Sequence, residues 1–149
     1  MNEIGEGTWF AVPVQTGGYA LGVVARTTAG GGVVLAYFFG NVYTKVPLIE
    51  DIESLGPESA VRIFRVGDLG LIDGTWPIIG YDPRWRREDW KMPKFIRKDD
   101  LSRRAWIVQY SEADANIVES EGPIDYDAKL ERDAVLGAGA VETLLTRML

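Results

Sequence analysis

The chain has 149 residues, 46% of them apolar, with 22 acidic and 16 basic side chains and a formal net charge of −6. This is the size of one domain that buries roughly two thirds of its extended surface, so a single unit spanning 1–149 is expected. It has no Cys and no His, which excludes thiol nucleophiles, redox pairs, Cys/His zinc sites and every imidazole-based proton transfer; with no basic leader and no membrane-length apolar run, a cytoplasmic location is expected.

In chain order, the first elements are short β-like runs separated by glycine turns: TWFAVPV (8–14), YALGVVAR (19–26) and VVLAYFF (33–39). Apolar residues alternate along them, and Gln15-Thr16-Gly17-Gly18 and Thr27 to Gly32 suit reversals. A β-meander follows. Pro13 lacks a ladder donor and belongs at a strand end; Gly22, among β-branched neighbours, suggests a bend or bulge. Val42 to Val46 can extend, Leu48 to Leu55 fits a short strand or loop, and AVRIFRV (60–66) is a strand covered on both sides. GDLGLIDGTWPIIG (67–80) supplies a turn and then the apolar run Trp76 to Ile79, held extended by Pro77. The segment 81–104 is polar, basic and aromatic by turns, AWIVQY (105–110) returns to strand character, and Asp114 to Ser120 can pair beside it. Leu130 to Leu136 suggests one or two helical turns, and Ala140 to Met148 is the best helix, with Val141, Leu144, Leu145 and Met148 on one stripe. The expected fold is therefore mainly β: a curved antiparallel sheet or partly open barrel, with a short C-terminal helix packed on it.

Charge is unevenly distributed: residues 1–80 carry net −4, 81–104 net +4 and 105–149 net −6. An acidic chain steers towards basic partners and away from nucleic acid and anionic membranes. No GxxxxGK or GxGxxG motif is present, so the glycines are read as turns. Paired carboxylates, Asp68 with Asp73, Asp99 with Asp100 and Asp125 with Asp127, are the only signal that suits a carboxylate-dependent or metal-dependent hydrolase, and their turn-like context favours solvated or capping roles. The serines have neither a GxSxG setting nor a histidine base. In DPRWRREDWKMPKFIRKDD (82–100), seven cations between 84 and 98 interleave with Trp85, Trp90 and Phe95. That composition serves a nucleic-acid-binding β module using 82–98, a protein-binding loop, or tryptophans docked on the core with their charges outward.

The runs GTWFAVPVQTGGYALGVVAR (7–26), VVLAYFFG (33–40) and GTWPIIG (74–80) together resemble the immunity protein 26 family of bacterial polymorphic toxin systems. The resemblance implies a small cytoplasmic, mainly β protein that binds and blocks a cognate toxin domain, with no catalysis, no cofactor and no metal. Stoichiometric inhibition of a basic nuclease toxin would use carboxylates that imitate phosphates, Glu112, Asp114, Glu119, Glu121, Asp125 and Asp127, with Trp85, Arg87 and Trp90 as further partner-binding candidates.

Overall fold

A computed structural model describes residues 4–52 and 55–149. Among the described residues ten strands form two sheets: β1 (Thr8–Pro13), β2 (Tyr19–Arg26), β3 (Val33–Tyr43), β4 (Ala60–Gly67), β5 (Ile78–Tyr81), β6 (Lys94–Asp99), β7 (Arg104–Tyr110), β8 (Val118–Ile124), β9 (Glu131–Arg132) and β10 (Val135–Leu136). The larger sheet runs β10-β4-β3-β2-β1-β5 and the smaller β8-β7-β6-β9. A one-turn helix, α1 (Leu69–Asp73), precedes β5, and α2 (Ala138–Met148) closes the chain.

The meander forms where expected. Gly17 and Gly18 take φ of +100° and +85° in the β1–β2 turn, a region closed to most side chains. Cross-strand partners share a face, so the register sorts the side chains of the large sheet. Phe10, Gly22 and Phe38 lie abreast on one face; Trp9, Val23, Tyr37 and Ile63 lie abreast on the other. Gly22 marks a close approach: a Cβ there would sit 2.5 Å from the Phe10 ring. Both faces are covered, which is why β1 to β3 read as nearly unbroken apolar runs.

The first face packs under α2 and Trp76. The Trp76 indole is fully buried and stacks on Phe10 at 5.6 Å and 2°, while its Nε1–H donates to Glu142 Oε2 on α2 at 3.0 Å. Val141 and Leu145 are fully buried; Leu144 is half-buried and Met148 is 43% exposed, so the helix stripe is narrower than expected. The second face packs against the small sheet through Trp90, Phe95, Val108 and Tyr110.

The expectation of a curved sheet or partly open barrel is corrected: the chain makes two open sheets, neither closed nor curled. The edges of the large sheet are the two-residue β10 and the four-residue β5, too short to be zipped together. The apolar surface that closure would enclose is buried instead by layering, with α2 on one side and the second sheet on the other. Two local readings also change. Leu130 to Leu136 forms no helical turns but contributes β9 and β10, each pairing in parallel, with β6 and β4. The segment 81–104, with no apolar alternation to announce it, contains β6.

Candidate partner-binding surface

The nine residues singled out from the sequence fall into two groups. Trp85, Arg87, Trp90, Glu112 and Asp114 gather where the two sheets meet; Glu119, Glu121, Asp125 and Asp127 lie apart, on β8 and the turn after it.

The first group is built on tryptophans. A turn at Asp82–Trp85 and a 3-10 turn at Arg87–Asp89 fold the loop back, so that Trp90 is 95% buried and meets Trp9, Tyr37 and Phe39 edge to face. Trp85 lies nearly parallel to Trp90. The loop's cations point outward and find carboxylates nearby: Arg84 with Asp82, Arg86 with Glu88 and Arg87 with Glu6. The cations of 82–98 do not form one track, because alternation on β6 places Arg97 on the face opposite Lys94 and Lys98.

Beneath this loop lies a feature the sequence reading passed over, a pair of buried arginines. Val24 pairs with Ala36 but Arg26 pairs with Leu35, so one extra residue in β2 turns Arg26 from the α2 face to the face under the small sheet. There it is 2% exposed. Its Nε donates to Glu112 Oε2 at 2.7 Å and its Nη1 to the Ala25 carbonyl at 2.6 Å; Glu112 also accepts the Met92 N–H, and Arg87 donates to the Glu112 carbonyl. Tyr37, whose hydroxyl donates to the Lys91 carbonyl at 2.6 Å, has its phenol pKa raised by burial, an effect opposed by Arg26 and reinforced by Glu112.

Arg65 is the second buried cation, at 5% exposure. Its guanidinium lies 3.9 Å above the Tyr110 ring and donates to the Ala115 carbonyl at 2.9 Å, the Tyr110 hydroxyl at 2.7 Å and Asn116 Oδ1 at 2.8 Å. Tyr110 in turn donates to Asp133; burial first and this carboxylate second push the Tyr110 pKa up to about 12, against the opposing pull of Arg65. Asp114 completes the loop, its Oδ2 accepting the Ala29 N–H at 3.1 Å and its Oδ1 the Asn116 N–H at 2.9 Å. Arg26 ends the otherwise apolar run YALGVVAR, and Arg65 lies in AVRIFRV together with a second cation, Arg62. Cations set in such apolar runs are the signal that was available.

The second group is open. β8 is an edge strand of the small sheet, and Glu119, Glu121, Asp125 and Asp127 are all exposed. Glu121 pairs with Arg97 across the sheet face, and Asp125 Oδ1 accepts the Asp127 N–H at 3.3 Å. Of the other paired carboxylates, Asp73 accepts the Thr75 N–H and Asp99 the Leu101 N–H in local turns, while Asp68 accepts the Gly32 N–H and Asp100 the Tyr126 hydroxyl from segments distant in sequence. Among the described residues no cluster of three acidic side chains could hold a metal ion, and no helix is long and apolar enough to cross a membrane.

Compared with known proteins, the chain matches no curated protein and no solved structure. The Immunity protein 26 family model matches residues 5–107, from the start of the large sheet through β6 into β7, including Trp85, Arg87 and Trp90 and stopping before Glu112. A general toxin-neutralising role with a cognate toxin as partner follows from that match. The match covers most of the chain, and the chain therefore belongs to the Immunity protein 26 family.

Proposed function

We propose that the chain neutralises its cognate toxin in the cytoplasm of the producing cell by one-to-one binding without turnover, and that β8 and the turn after it form the contact. The observation that carries this reading is the division of the acidic candidates. Glu112 and Asp114 are engaged in holding the two sheets together, whereas Glu119, Glu121, Asp125 and Asp127 stand exposed on the edge strand β8 and the turn after it, Glu121 beside its partner Arg97. An edge of carboxylates on a chain of net charge −6 suits a basic toxin face such as that of a nuclease, and speeds encounter by long-range attraction. In this reading the family-matched region supplies the scaffold and the edge beyond residue 107 contributes to recognition of the cognate toxin.

The test is charge reversal of Glu119, Glu121 and Asp125 to lysine in one variant, with association followed by stopped-flow mixing over a range of salt. Association at low salt should slow by about an order of magnitude or more and lose most of its salt dependence. An unchanged rate and unchanged salt slope would remove β8 from the interface.

A further inference from the structure

Lys94 and Lys98 leave β6 on the same face, and the fold surrounds them with cations from elsewhere in the chain. A cavity of about 570 Å³ is walled by Lys98, by the segment 127–132 and by Arg62 of β4. A second, of about 270 Å³, is walled by Lys94 and shares Arg62, Lys129, Leu130 and Glu131 with the first. The two adjoin as one groove, open to solvent, beside β9 and the lysine-bearing face of β6.

The groove is lined by five cations, Arg62, Lys94, Lys98, Lys129 and Arg132, against two carboxylates, Asp127 and Glu131. This local balance of +3 is opposite in sign to the −6 of the whole chain. Glu131 is already engaged, accepting from Arg62 through both of its oxygens. Arg132 approaches Asp100 only to 4.0 Å, and that carboxylate also accepts the Tyr126 hydroxyl. Lys98 Nζ lies 4.6 Å above the Tyr126 ring. Among the described residues Lys94, Lys98 and Lys129 have no ion-pair partner. Like charges gathered around a concave space raise the potential inside it, and an anion relieves that repulsion.

The geometry selects among anions. Donors reach the groove from β4, from β6 and from the segment around β9, and a tetrahedral oxyanion offers oxygens in several directions where a carboxylate offers two in one plane. Along the strand, Lys94 and Lys98 are about 13 Å apart at roughly 3.3 Å per residue, farther than a single phosphate spans. The larger cavity alone lies within the roughly 300–1,000 Å³ usual for small-molecule sites. We propose that this groove is a binding site for the phosphate chain of a small di- or triphosphate, with Lys98, Lys129 and Arg132 donating at one end, Lys94 at the other, and Arg62 held in place between them by Glu131. The site does not rest on the toxin contact proposed above. Asp127 belongs to both, and here it acts as a like charge that weakens binding.

Isothermal titration calorimetry of the full chain at fixed ionic strength, which keeps screening constant, tests this with tripolyphosphate as the probe. The expected result is one-to-one binding that saturates below about 10 mM. Lys98→Gln with Lys129→Gln should weaken it about ten-fold or more, because two charge-assisted hydrogen bonds are lost. Lys45→Gln, which removes one charge of the same sign from a residue lining neither cavity, should change affinity by less than about two-fold, and Asp127→Asn should tighten it. All these side chains lie outside the core, and circular dichroism checks that each variant is folded. Tighter binding of ATP than of tripolyphosphate assigns the phosphates to a nucleotide, and equal binding assigns them to an inorganic chain. The proposal fails if tripolyphosphate does not saturate, if Lys45→Gln weakens binding as much as the double variant, or if the tricarboxylate tricarballylate binds as tightly. It fails also if a thymidine oligonucleotide binds far more tightly with a steep salt dependence, which would make the groove a nucleic-acid track.

Discussion

Replacing Trp76 by alanine removes the side chain that joins α2 to the sheet. A tryptophan buries about 150–250 Å², which at roughly 25 cal/mol per Å² is about 4–6 kcal/mol. The indole is fully buried and lies flat on Phe10, so little of the space can be refilled. Loss of the bond to Glu142 adds about 1 kcal/mol or less, because that carboxylate is partly exposed and regains water. Allowing for apolar surface already buried in the unfolded chain, Trp76→Ala should cost about 4–5 kcal/mol. Trp76→Phe, which keeps a ring on Phe10 but loses the N–H, should cost about 1–2 kcal/mol. A protein of this length has about ten kcal/mol of stability to lose, on the order of 0.05–0.15 kcal/mol per residue, so both variants should fold. Urea unfolding followed by far-ultraviolet circular dichroism measures the loss without relying on tryptophan fluorescence, and one cooperative transition is expected for a single folding unit. A loss under about 1.5 kcal/mol for Trp76→Ala, with an unchanged dependence on urea, would refute the anchoring role.

Three further outcomes follow from the same packing. Leu145→Ala should cost about 2–5 kcal/mol and Leu144→Ala distinctly less, since only Leu145 is fully buried; equal losses in urea unfolding would show that α2 is rotated from its assigned face. Arg65→Ala should destabilise by about 3–5 kcal/mol, because it leaves Asp133 and the Ala115 carbonyl without their cation, whereas Arg65→Met should recover part of that loss by filling the space; a loss below about 1 kcal/mol for Arg65→Ala would contradict the structural role of this buried network. Tyr110 has its folded-state pKa raised from 10.0 to about 12, so its contribution is complete below pH 10 and is lost as pH rises from there through about 12; stability measured across that window should fall, and the fall should be smaller in Tyr110→Phe, where only the other tyrosines with raised pKa, such as Tyr37, remain to contribute.

The large sheet was legible because its strands are long, apolar and cut by glycine turns whose backbone only glycine adopts cheaply, and α2 because Val141 and Leu145 repeat at helical spacing. What escaped was set by partners distant in sequence. β6 carries Lys94, Arg97 and Lys98, and only β7 and β9 on either side make it a strand. β9 and β10 are two residues each and exist through parallel pairing that no local pattern signals. A curved sheet or partly open barrel is what strand-like runs separated by glycine turns suggest, and the same pattern is produced by a sheet sandwiched between a helix and a second sheet. In the candidate surface, charge alone did not separate Glu112, held by the buried Arg26, from Glu119 on the open edge; the residue-long slip in β2 that turns Arg26 inward has no local sequence mark. The tryptophans of 82–98 docked on the core, the commonest use of such residues.

The central claim is neutralisation by stoichiometric binding. The most direct measurement is co-expression of this chain with the toxin domain encoded beside its gene, followed by purification through a tag on the toxin and mass determination of what elutes. The account predicts a one-to-one complex in which the toxin is inactive, together with restored viable counts in cells that otherwise die. Soluble expression of both proteins with no complex and no rescue would contradict it.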